Sequence, residues 1–221
     1  MLERYREDYP GEFVITQVTW KDGKKHQERE WIDNPITNVH ANNKATCIAE
    51  SYAVQTNFYA KVARNNGGLL GRERMQVYGV ESVWDKMVPD FLVCQNSQTI
   101  PEMIKAGYPS KSVVYSTAKN CLKFPGELFL IPYSLSMQSH AAACWLACFD
   151  GHKEIYLVGY EKTDKKGAEQ TKMIHAVAQV MKVYPHVKFI QVTTNASPDA
   201  WRRRVNFSNT RTEDYVSNCD V

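Results

Sequence analysis

From residue 45 onward, short apolar runs alternate with helix-length stretches, and that rhythm limits the fold more than any other feature of the chain. The apolar runs are "ATCIAE" (45–50), "RMQVYGV" (74–80), "DFLVCQN" (90–96), "SVVYST" (112–117), "ELFLIP" (127–132), "EIYLVGY" (154–160) and "KFIQVTT" (188–194). Between them the spacing predicts helices over 51–68, 99–107, 139–149, 167–185 and, briefly, 197–204. Strands apolar on both faces, alternating with helices, form a mostly parallel sheet covered on both sides. Right-handed crossovers make it doubly wound. The expected class is therefore α/β, a Rossmann-like sheet.

Ahead of that core, "FVITQVTWKDGKKHQEREWI" alternates as two strands around Asp22-Gly23, a pair suited to positive φ at both turn positions. This N-terminal β-hairpin is expected at one edge of the sheet, its charges discouraging edge-to-edge pairing. A chain of 221 residues fits a single domain. We divide it into a hairpin and connection (1–40), a Rossmann-like core (45–201) and a basic tail (202–221), solvated and partly disordered. No apolar run approaches a membrane span, and the first residues are charged, so a cytoplasmic protein is expected. The six cysteines are Cys47, Cys94, Cys121, Cys144, Cys148 and Cys219; four lie in apolar stretches, and buried free thiols are expected.

In open α/β sheets, ligands lie beyond the carboxyl ends of the strands. Here those ends are polar: Glu50-Ser51, Gln95-Asn96-Ser97, the Ser134–His140 stretch, Tyr160-Glu161 and Thr193-Thr194-Asn195. At the start of the helix in "SMQSHAAACW", free N–H groups and the positive helix end would attract a phosphate. Ser136, Gln138 and Ser139 could complete its shell, and Ser51 is either a helix cap or a further contact. Ser139 also suits a plain helix cap. His140 could pair with the phosphate charge, move a proton, or be an ordinary polar residue at a helix start. Asn96 could read a base or sugar hydroxyl, or simply hold a turn. Glu161 could accept sugar hydroxyls or act as a general base, or lie solvated. Arg202, Arg203 and Arg204 form the densest basic cluster, a nucleic-acid contact or a solvated tail. With a net charge of +3 there is no strong nucleic-acid footprint.

The glycine fingerprints of dinucleotide and P-loop sites are missing, and no Asp-x-Asp stands at a strand end, so no metal is expected. His175, on an otherwise apolar helix pattern, is expected in the core.

The stretch "SHAAACWLACFDGHKEIYLVGYE" resembles the bacterial sialyltransferases that cap lipooligosaccharide. It is similar also to the motility-accessory flagellin glycosylation proteins and the related hydroxymethylpterin diphosphokinase-like domain. "PDFLVCQNSQTIPEM" and "KFIQVTTNASPDAW" agree with flanking segments, so the resemblance covers roughly 75–201. It implies that Asn96 and Ser139 bind an activated sugar nucleotide. The family's Gly-Asn-Gly loop is replaced here by "AESYAV", and "EKTDKKGAEQ" lacks its histidine. The expected function is metal-independent glycosyl transfer from a nucleotide-sugar donor, with no tightly bound cofactor. Glu161 or His140 would be the base, and a glycan, a protein or a modified DNA base the acceptor. Alternatives are ATP-dependent diphosphate transfer to a pterin-like alcohol, and a non-catalytic nucleotide- or nucleic-acid-binding module.

Overall fold

A computed structural model describes residues 2–38, 43–49, 75–160 and 167–219. The predicted helix over 51–68, with Ser51 and Glu50, lies outside the described residues, as does Glu161.

The strands are β1 (Gly11–Lys21), β2 (Lys24–Asp33), β3 (Lys44–Ile48), β4 (Gln76–Val80), β5 (Phe91–Val93), β6 (Val113–Ser116), β7 (Phe129–Leu130), β8 (Glu154–Val158), β9 (Lys188–Val192) and β10 (Phe207–Thr210). The helices are α1 (Thr99–Lys105), α2 (Ala118–Lys123), α3 (Ser139–Phe149), α4 (Ala168–Val183), α5 (Asp199–Arg202) and α6 (Thr212–Cys219). Eight strands form one parallel sheet in the order β10-β9-β8-β3-β4-β5-β6-β7. The chain builds outward from β3 to β7. It then returns through α3 to β8 on the other side of β3, so the winding reverses between β3 and β8. The doubly wound α/β expectation is met.

Because side chains alternate across a strand, Cys47, Tyr78, Phe91 and Leu157 face α3 and α4. Ile48, Val77, Leu92 and Val158 face α1 and Tyr215 of α6. Ten of the 11 residues of α3 are buried, His140 being the exception. A helix covered all round must be apolar or small all round, and Ala141–Ala143, Ala147, Cys144 and Cys148 meet that demand. Where β3 and β8 end side by side, Gly159 takes a φ of +74°, and a Cβ there would overlap the Ala49 carbonyl oxygen. Cys47, Cys94, Cys121, Cys144 and Cys148 are buried free thiols, as expected.

Two expectations change, and the hairpin takes its expected place at one edge. The stretch after Arg202 is not a solvated tail: β10 joins the sheet beside β9, and α6 packs on it. The Asn206 amide donates to the carbonyls of Met181, Tyr184 and Val187, and Tyr215 buries its ring with its hydroxyl 2.7 Å from Thr46 Oγ1. Those contacts dock the segment. His175 is exposed, because the buried stripe of α4 runs through Met173, Val177, Val180 and Met181. The hairpin is a separate two-stranded sheet, not hydrogen-bonded to the larger one. It rests Val14 and Ile32 against Cys121 and Leu130, close to the β7 edge.

The N-terminal segment is tied to the amino-end edge of the sheet by a buried polar network. The Arg6 guanidinium meets Asp150 at 2.5 Å and donates to the Tyr115 hydroxyl at 2.9 Å. Tyr78 and Asn38 donate to the other carboxylate oxygen at 2.6 and 2.7 Å. His152, fully buried, lies 3.0 Å from Gln76 Oε1.

Candidate functional site

α3 runs antiparallel to the strands it covers, so its start lies over the carboxyl ends of β4 and β5. That placement gathers a set of polar side chains around a cleft of about 620 Å³. β4 ends at Val80, and the chain turns at once through Glu81–Val83, which brings the Glu81 carboxyl under Ser139. β5 ends at Val93, and two residues later Gln95 donates its amide to the Met137 carbonyl at 2.7 Å. That bond fixes the extended segment leading into α3. Ser136, Gln138, Ser139 and His140 continue the wall, and Glu169, Gln170 and Met173 at the start of α4 form the opposite one.

The structure thus brings together Ser136, Gln138, Ser139 and His140, as the sequence predicts. Gln138, not Ser139, is the N-cap residue of α3, and no side chain caps the first turn. Its leading N–H groups therefore keep their bonding capacity at the cleft. The Gln138 amide reaches across to the Glu169 carbonyl at 3.5 Å. His140 sets its ring against Tyr160, centroids 5.2 Å apart, and the Tyr160 hydroxyl donates to the His140 carbonyl at 3.0 Å. Burial lowers the His140 pKa to about 4, so its imidazole is neutral at physiological pH and a weak base. A charged phosphate partner it is not, until an anion beside it raises its proton affinity.

Glu81 was not singled out from sequence. Burial raises its pKa above the usual carboxylate range, with hydrogen bonding from Ser139 and the backbone N–H groups of Glu81 and Gln95 opposing it. One carboxyl oxygen, Oε2, is buried without a hydrogen-bond partner among the described residues. An acid placed directly after an apolar strand is the only sequence signal that could have found it.

Asn96 stands apart from this cleft. It is exposed, its Oδ1 accepts from the Gln98 N–H at 2.9 Å, and its carbonyl accepts from Thr99 and Ile100. Those bonds make it the turn residue that starts α1, and the neighbouring Gln95 lines the cleft instead. Thr193, Thr194 and Asn195 line a second depression of about 530 Å³ with Asn209 and Asp214, so these polar strand-end residues lie apart from the cleft. Arg202, Arg203 and Arg204 line neither. Phe207 pairs with Phe189 at the start of β9, so these arginines enter at the amino-end edge, opposite the cleft. Arg202 is paired with Asp199. Among the described residues, no group of three or more His, Cys, Asp and Glu side chains is placed to hold a metal ion. Among them too, no helix is long and apolar enough to cross a membrane.

No family model, curated protein or solved structure matches the chain.

Proposed function

We propose that the protein is a glycosyltransferase that takes a sugar from a nucleotide-activated donor at the cleft over β4 and β5. The observation that carries this reading is Glu81: a desolvated carboxyl with an unpartnered oxygen, beside Ser139 and His140 at an uncapped helix start. A carboxyl whose proton affinity is raised by burial is suited to general acid–base work. The amides of Gln95, Gln138 and Gln170 can both donate and accept, which matches the hydroxyls of a sugar. The N–H groups of α3 suit the diphosphate.

In this reading Glu81 takes the proton from an acceptor hydroxyl as its oxygen attacks the anomeric carbon. The bond from that carbon to the diphosphate breaks, and the nucleoside diphosphate leaves with the electron pair. The leading N–H groups of α3 donate to the phosphate oxygens while the Ser139 hydroxyl holds Glu81, and neutral His140 hydrogen-bonds the donor without adding charge. The acceptor is any molecule presenting a hydroxyl to the cleft.

The test combines calorimetry and turnover. Nucleoside diphosphates and their sugar conjugates are titrated with EDTA or Mg²⁺, and donor hydrolysis is followed by release of the diphosphate. The expected result is binding that survives EDTA, and Glu81→Gln that binds donor but turns over about 10²–10⁴-fold more slowly. Binding only of ATP with Mg²⁺ would turn the assignment to diphosphate transfer. Unchanged turnover in Glu81→Gln would remove Glu81 as the base.

A further inference from the structure

The hairpin carries an apolar face that nothing in the described structure covers. Phe13, Ile15, Val18, Trp20 and Trp31 are 64%, 47%, 47%, 70% and 41% exposed. In a regular strand Phe13 and Ile15 would point opposite to Val18 and Trp20. The pairing slips between Ile15 and Gln17, and the extra residue, Thr16, turns all four to one side. From base to tip the cross-strand pairs on that face are Phe13–Trp31, Ile15–Arg29, Val18–Gln27 and Trp20–Lys25. Asp33 lies beyond the base, its carboxylate accepting from the Trp31 indole. The opposite face seats Val14 and Ile32 on the body of the protein. Thus the ribbon is anchored on one side and open on the other.

We infer that this face pairs with the same face of a second copy of the chain, forming a twofold dimer with antiparallel ribbons. A twofold axis between the second and third pairs lays Trp20 and Lys25 over Phe13 and Trp31 of the second copy. Lys25 then meets an aromatic face and the Asp33 carboxylate, and Arg29 meets Gln27. The positive end of each ribbon thus falls on the aromatic, acidic end of the other. Nucleic acid fits less well, because Lys21, Lys24, Lys25 and Arg29 are offset across the hairpin by Glu12, Asp22, Glu28, Glu30 and Asp33. Three rings that each cover roughly 150–250 Å² when fully buried, with two aliphatic side chains and two long cationic stems, bring the face toward the scale of a specific interface.

Sedimentation equilibrium of the full chain tests this. The expected mass is twice the 25.3 kDa of one chain. Trp20→Glu should weaken the dimer more than about tenfold, as loss of an interface anchor does. Lys25→Glu and Asp33→Lys should each weaken it, and the two together should restore it. Circular dichroism confirms that each variant is folded, which is expected because these residues point away from the body. A wild-type protein that sediments as a single chain across the accessible concentrations would overturn the proposal. So would a dimer indifferent to Trp20→Glu. A paired charge reversal that fails to recover the dimer would overturn the antiparallel arrangement.

Discussion

His140 shows what one half-buried, desolvated group does to the pH dependence of the whole. In an unfolded chain a histidine titrates near 6.5, whereas burial here holds it down to about 4. Between those values the unfolded chain binds the extra proton and the folded one does not. The contribution is therefore complete above the unfolded pKa and is lost as pH falls toward the folded one. The loss is expected to be about 1–3 kcal/mol between neutrality and pH 4. It is read from urea midpoints across that range, where His140→Gln should flatten the slope. A slope that is the same in the variant would place the acid sensitivity elsewhere. Glu81 acts in the opposite sense: its raised proton affinity means that its neutral form is favoured in the fold. The cleft therefore pairs a histidine whose proton affinity burial lowers with a carboxyl whose proton affinity burial raises.

At the scale of elements, the carboxyl ends of β3 and β8 are brought together by a glycine that a side chain cannot replace. Gly159 and Gly151 both have positive φ, +74° and +90°, but only Gly159 lies against backbone. Gly151→Ala meets open space and should cost about 1–2 kcal/mol, the strain of a left-handed residue. Gly159→Ala adds a clash with the Ala49 carbonyl, and the two strand ends must part; a loss above about 4 kcal/mol is expected. Chemical denaturation of the two variants gives the comparison directly. Equal losses would mean that the strand ends yield easily. α3 obeys the same geometry: its small residues admit the close packing that brings Ser139 down to Glu81.

Across the whole molecule, the amino-end edge of the sheet holds the fold together while the carboxyl-end edge holds the candidate site. Arg6 and Asp150, 8% and 0% exposed, are the centre of that anchorage. Removing one partner of a buried pair leaves a charge uncompensated, which costs about 3–5 kcal/mol. Arg6→Ala should show that loss in denaturation and should open the N-terminal segment to limited proteolysis. Nucleotide binding by the folded fraction should persist, because the cleft lies at the opposite edge. An N-terminal segment as resistant as the wild type would assign the anchorage to Asn38 and the aromatic contacts instead.

The sequence by itself determined β3 to β9 in their order along the chain, the helices over 99–107, 139–149 and 167–185, the Asp22-Gly23 turn, the parallel sheet and the edge on which polar residues gather. Those features follow from side-chain periodicity and from backbone preferences of one or two residues, which each segment carries wherever it lies. Ser136, Gln138, Ser139 and His140 were legible for that reason, since they form one contiguous helix start. Only the tertiary structure selected Gln95 over Asn96, joined Glu81 to Ser139 across 58 positions of chain, and paired Arg6 with Asp150. It alone docked the segment after Arg202, through Asn206 and Tyr215. Desolvation decided each of these. Whether an acid keeps its ordinary proton affinity, or a tail stays in water, depends on what distant segments lay over it, and that covering exists only once the chain has folded.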